Sequence, residues 1–143
     1  MTGPRHIVVG VDDSGGARAA VDWALDEGRR HQARVTLLHA YQLEVAWIDR
    51  DDLARWSEME RKAADGALRK IAADLTVPPD VQLETTVVEG NPASALIDAS
   101  TDADLLVVGS RGRGGLAGLL LGSVSQRCVE RAHCPVVVVP ATR

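Results

Sequence analysis

Lysine is scarce in this chain. Only Lys62 and Lys70 occur in 143 residues, both within one stretch that reads as a long helix. That scarcity removes the phosphate-binding pattern G-x-x-x-x-G-K-[ST], whose lysine reaches the phosphates. Cysteine is sparse too. Cys128 and Cys134 match neither a C-x-x-C redox pair nor a zinc knuckle. His133 beside Cys134 invites a metal reading, but no second cluster completes a site. Both thiols are expected to be buried and to pack near the last strand. No apolar run reaches the roughly 18 residues of a membrane span. The opening MTGPRHIVVGVDDS ends in two acids and shows no small-residue cleavage site, so it does not read as a secretory signal. A cytoplasmic location without membrane partners is expected. The net charge of −4 argues against broad nucleic-acid binding, which needs a basic face, and leaves room only for a local cationic patch.

What is present is ordinary for a globular protein: 45% hydrophobic and 25% charged residues, enough for one domain, residues 1–143, with its own core. Two periods alternate along it. HIVVGV (His6–Val11) is a short β-branched run and reads as a buried strand. Residues 14–32 read as a helix with Ser14 as N-cap, and Ala20, Val21, Ala24 and Leu25 on its apolar face. RVTLLHAY (Arg34–Tyr41) is a second strand. Gln42–Asp51 has no period and reads as a loop or flap. A long helix is expected from Asp52 to Leu75, with Leu53, Trp56, Ala64, Ala67, Leu68, Ile71 and Leu75 sharing a face. Trp56 is expected in the core, and Trp23 at the edge of its helix. TVPPD stops the long helix. VQLETTVVEG alternates as a third strand. NPASALIDAST is a helix capped by Asn91, with Pro92 at its first position. DLLVVGS, SVSQRCVERAH and PVVVVP complete the pattern as strand, helix and strand.

Strands separated by helices imply a parallel sheet covered on both faces. The expected fold class is α/β: a three-layer doubly wound sandwich, Rossmann-like or flavodoxin-like, with five parallel strands in the order 3-2-1-4-5. In such sheets ligands bind beyond the carboxyl ends of the strands where the order reverses, here between strands one and four. The loops there are Val11–Ser14 and a glycine-rich stretch. A phospho-receiver domain shares this order of elements. It would need a lysine near the end of strand five, and none stands there.

Six of the seventeen residues of Gly109–Ser125, GSRGRGGLAGLLLGSVS, are glycine. Glycine at that density implies unusual backbone angles or close approach to a ligand. The first amides of a helix lack internal partners and carry partial positive charge, so the helix opening at Gly122, Ser123, Val124 and Ser125 suits a phosphate. Gly122 would let the backbone come close, and the Ser123 and Ser125 hydroxyls could each donate a further bond. Ser123 as a plain helix cap is the alternative. The fragment GRGGLA matches the dinucleotide fingerprint, but too little chain follows to complete a βαβ unit. Arg111 and Arg113 could reach phosphates or be solvated. Asp12 reads as an acceptor for ribose hydroxyls or a base, Asp13 as a turn acid. His39 reads as a structural hydrogen-bonder rather than a base.

The spacing Gly109-x2-Gly112-x9-Gly122-Ser123 resembles the ATP-binding signature of the universal stress protein family. IVVGVDDS is similar to the family's opening strand and aspartate, ADLLVVGSRG to its fourth strand and CPVVVVP to its closing strand. The resemblance covers nearly the whole chain. It implies the same five-stranded fold and an ATP cofactor. Asp12 would hold the adenosine end, and the backbone around Ala40 would meet adenine. Gly109 and Gly112 would shape the ribose and phosphate path, and the run from Gly122 to Ser125 would hold the phosphates. Mg²⁺ would rest on phosphate oxygens and water. It also implies a homodimer through the last strand, Pro135 to Val139. An exposed apolar sheet edge supports that pairing independently.

Three functions fit. In the first, ATP occupancy stabilises one conformation that a regulatory partner reads. The alternative is a slow ATP hydrolase or nucleotidyl-transferring enzyme, which needs an activated nucleophile. No catalytic side chain is clearly placed for that beside the phosphate-binding helix, and no lysine offsets transition-state charge. The third is a dimer scaffold with a vestigial loop, which an unbroken signature argues against.

Overall fold

The computed structural model describes residues 3–12, 15–43, 49–110 and 121–141. Along them strands and helices alternate: β1 (His6–Gly10), α1 (Gly15–His31), β2 (Arg34–Tyr41), α2 (Arg50–Ala73), β3 (Gln82–Glu89), α3 (Pro92–Ser100), β4 (Leu105–Gly109), α4 (Ser123–Arg131) and β5 (Val136–Val139). The strands form one sheet in the order β3-β2-β1-β4-β5, every neighbouring pair parallel. This is the expected order.

The period of two along each strand divides the core. Ile7, Val9, Val35, Leu37, Leu105 and Val107 face one way and pack with Ala20, Val21, Ala24 and Leu25 of α1 and Leu68 of α2. Val8, Leu38, Leu106 and Val108 face the other way, against Ala95 and Leu96 of α3 and Cys128 of α4. The central strands β1 and β4 are buried on both faces, which is why they read as unbroken apolar runs. Trp23 packs half-buried against the first of these clusters.

The long helix departs from expectation. Its buried residues are Ala64 and Leu68, with Ile71 and Ala72 packed beside them and Leu75 just past its end. Ala67 is exposed, and so are Leu53 at 38% and Trp56 at 45%, so Trp56 is not a core residue. The reason is length. Twenty-four helical residues span about 36 Å, whereas the eight of β2 span about 26 Å. No residue from Arg50 to Met59 is buried, so this half of α2 runs beyond the surface that would cover it.

The caps are partly as read. Asn91 caps α3: its Oδ1 accepts from the Ser94 amide at 3.1 Å, and Pro92 follows in the first turn. The same oxygen accepts from Arg127 Nη1 at 3.3 Å, which ties α4 to the start of α3. Asn91→Ala should therefore lower stability by about 1 kcal/mol or somewhat more, read as a shift in urea midpoint without a change in slope. Ser14 and Asp13 lie outside the described residues, as does much of the expected flap.

Cys128 is fully buried, and burial pushes its thiol up to about 11, opposed by the nearby Arg127 charge. Cys134 is only half-buried, so the expectation of two buried thiols holds for Cys128 alone. Cys134 stands just before β5, packed against the cluster of Leu106 and Cys128. Its Sγ donates to the Pro135 carbonyl at 3.4 Å.

Candidate functional site

The order reverses between β1 and β4, and both strands end at the same edge of the sheet. Gly10 closes β1. A Cβ there would stand 2.8 Å from Leu96 Cδ1, so its absence lets α3 pack close beneath the crevice. Val11 and Asp12 follow. The Val11 amide donates to the Leu38 carbonyl at 2.8 Å, continuing the β1–β2 ladder one residue past the strand. Asp12 stands half-buried at that exit.

Across the crevice, Gly109 ends β4 opposite Val139, and the Ser110 amide donates to the Val139 carbonyl at 2.9 Å. The chain returns at Gly122. Its amide donates to the Ser110 carbonyl at 2.6 Å, and the Ser125 hydroxyl donates to the same carbonyl at 2.9 Å and to the Gly122 carbonyl at 3.1 Å. Ser110 therefore joins the end of β4 to the start of α4. Sequence reasoning did not single it out, because a backbone carbonyl carries no signal in the residue type.

This neck fixes how α4 opens. Gly122 occupies the N-cap with φ −79° and ψ 174°, and no side chain caps the helix. Ser123 stands one position further in, exposed, and is not the cap. Ser125 is 3% exposed with its proton committed to backbone carbonyls, so in this structure it braces the turn rather than presenting a free donor. The amides of Ser123, Val124 and Ser125 have no partner among the described residues. Gly112, Arg111 and Arg113 lie outside the described residues.

Ala40 completes the group. It lies in β2 opposite Val88 of β3, but alternate residues of a strand turn their amide and carbonyl to opposite neighbours. The Gly90 amide donates to the Tyr41 carbonyl, and the Val11 amide to that of Leu38. Odd residues of β2 thus face β3 and even ones face β1, so the main chain of Ala40 faces the space above Val11. His39 Nδ1 lies 2.8 Å from the Val11 carbonyl. A carbonyl only accepts, so Nδ1 carries the proton and donates.

The sequence model of the universal stress protein family matches residues 3–140. The chain belongs to the universal stress protein family. A universal stress protein of Mycobacterium tuberculosis is 39% identical over 140 residues, which cover 93% of this chain and 46% of that protein. One from Mycolicibacterium smegmatis is 35% identical over 137 residues, covering 93% of this chain and 45% of that one. The chain thus spans about half the length of these curated relatives. Among solved structures, the universal stress protein UspA from Lactobacillus plantarum superposes with a TM-score of 0.78 at 27% identity, covering 97% of this chain and 99% of that one. A universal stress protein in complex with cAMP superposes with a TM-score of 0.68 at 28% identity, covering 99% and 100%. The doubly wound sheet of this universal stress protein is therefore the fold of its family. Of the glycines in the spacing that suggested the family, Gly109 ends β4 and Gly122 opens α4.

Proposed function

We propose that this universal stress protein binds ATP in the crevice between β1 and β4 and acts as a nucleotide-dependent regulatory protein. The observation that carries the reading is the opening turn of α4. Three successive amides there lack partners among the described residues, and the residue before them has no side chain. Those groups, with the positive end of the helix, suit a phosphate chain. The related protein in complex with cAMP supports an adenine nucleotide as the ligand class.

Each residue has a role in this reading. The amides of Ser123, Val124 and Ser125 hold phosphate oxygens, and Gly122 keeps the approach clear. Ser125 braces the turn through Ser110. Gly109 shapes the ribose and phosphate path, and the resemblance to the family gives Gly112 the same part. Asp12 accepts from ribose hydroxyls or the base, and the Ala40 main chain meets the adenine edge. Bound ATP supplies a triphosphate whose charge Mg²⁺ would neutralise. Among the described residues no group of three or more His, Cys, Asp or Glu side chains could hold a metal ion. In this reading Mg²⁺ rests on phosphate oxygens and water, as is common for that ion.

A homodimer through Pro135–Val139 and a cytoplasmic location belong to the same proposal. Among the described residues no helix is long and apolar enough to cross a membrane. In β5 all four valines are half-buried, and the strand stands at the sheet's edge. The Leu106 amide donates to Pro135, and the Ser110 amide to Val139, so odd residues of β5 face β4. Val136 and Val138 turn their main chains outward, toward a second copy.

Two measurements test the reading. Nucleotide extracted from the purified protein should be adenine nucleotide, and calorimetry with ATP and Mg²⁺ should show saturable binding near one per chain. A flat titration of nucleotide-free protein would overturn the function. For the dimer, Val138→Pro removes an outward amide without touching the β4 ladder. Sedimentation should find the parent dimeric and the variant at least about tenfold weaker in association. Indistinguishable association would remove β5 as the interface.

A further inference from the structure

We infer that His39 is a positioning residue that keeps the Ala40 main chain open for the nucleobase. The inference rests on the ATP reading above and deepens it. In a parallel ladder, a residue whose amide donates to one position of its neighbour has its carbonyl accept from the amide two positions on. The Val11 amide donates to Leu38, so the regular partner of the Val11 carbonyl is the Ala40 amide. That bond is not made. The His39 imidazole takes the carbonyl instead, at 2.8 Å.

The substitution has two consequences. The Val11 carbonyl is satisfied, so the exit of β1 that carries Asp12 stays tied to the end of β2. The Ala40 amide and carbonyl have no partner among the described residues and face the crevice. An adjacent amide and carbonyl on one strand edge match the acceptor and donor edge of a 6-aminopurine: N1 accepts, and the 6-amino group donates. They mismatch a 6-oxopurine, whose N1 carries a hydrogen and whose C6 carries a carbonyl. A side chain that cannot compete for Val11 would let the ladder close on the Ala40 amide, and base reading would be lost.

The experiment compares the parent with His39→Leu and His39→Asn. Asparagine places an amide nitrogen at the same point along the side chain as Nδ1, whereas leucine has no donor. Calorimetry with ATP, GTP and tripolyphosphate reads the outcome. In the parent, ATP should bind at least about tenfold tighter than GTP. His39→Leu should lose about tenfold in ATP affinity and most of the ATP-over-GTP preference, with tripolyphosphate binding unchanged. His39→Asn should restore both. Equal ATP affinity and equal preference in parent and His39→Leu would overturn the inference while leaving the ATP reading intact. Failure of the parent to bind ATP overturns both. Amide exchange in the unliganded parent covers the case in which His39→Leu does not fold. The Ala40 amide should exchange fast without nucleotide and slowly with ATP, and slow exchange without ATP overturns the inference.

Discussion

Gly122→Ala should weaken ATP binding by about tenfold or more, about 1.4 kcal/mol, with a melting temperature close to that of the parent. The two halves of this expectation have separate causes. At φ −79° and ψ 174° the backbone of Gly122 is extended, a conformation open to alanine. Removing glycine lowers unfolded-state entropy, which stabilises by about 0.4–1 kcal/mol. Alanine is a poorer N-cap than glycine by a similar amount. These effects offset, so the fold is retained. Binding responds differently, because the added methyl group stands beside the three amides that would hold phosphate. Ser123→Ala is the control. It keeps the amide and removes one exposed hydroxyl, so its effect should be about threefold or less. Calorimetry on the three proteins at one salt concentration decides. Equal affinity for Gly122→Ala and parent would detach the phosphates from this turn.

Much of this fold was legible because helices and strands impose different periods on the apolar residues. The alternation of the two periods implied parallel strands, and the reversal of order implied where the crevice lies. Asn91 and Pro92 were legible as a helix start because their chemistry is local. The long helix was not fully legible. Leu53 lies in phase with Ala64 and Leu68, yet phase says which way a residue faces and not where the sheet beneath it ends. Trp56 failed for the same reason.

At the site, spacing marked the turn around Gly122 but not what its side chains do. Ser125 read as a donor to ligand. Its hydroxyl instead spans back to Ser110, fifteen residues earlier, and spacing cannot reveal the direction of a hydroxyl. His39 read correctly as a hydrogen-bonder, but its partner Val11 lies 28 residues away in sequence. Only the β1–β2 register brings them together, and only the register shows that the imidazole replaces a ladder amide.

The site depends on the sheet beneath it, and Leu106→Ala should expose that dependence. Leu106 is 0% exposed in β4, paired with Val8 of β1 and Val136 of β5, in the cluster with Leu96 and Cys128. Truncating it should cost about 2–5 kcal/mol, because the methyl groups lose their contacts and close packing leaves a cavity. That is a large share of the roughly 5–15 kcal/mol that holds a domain of this kind folded, and the melting temperature should fall by about 10 °C. Leu106→Met, which conserves volume, should lose less than about 1.5 kcal/mol. Ligand linkage then joins fold to function. ATP at 100 times its dissociation constant should return about 2.7 kcal/mol to parent and variant alike, provided the crevice of the variant keeps its shape. Thermal melts with and without ATP read both quantities. A cost below about 1 kcal/mol for Leu106→Ala would mean that β4 is not packed as described, and an ATP shift absent from the parent would count against the nucleotide.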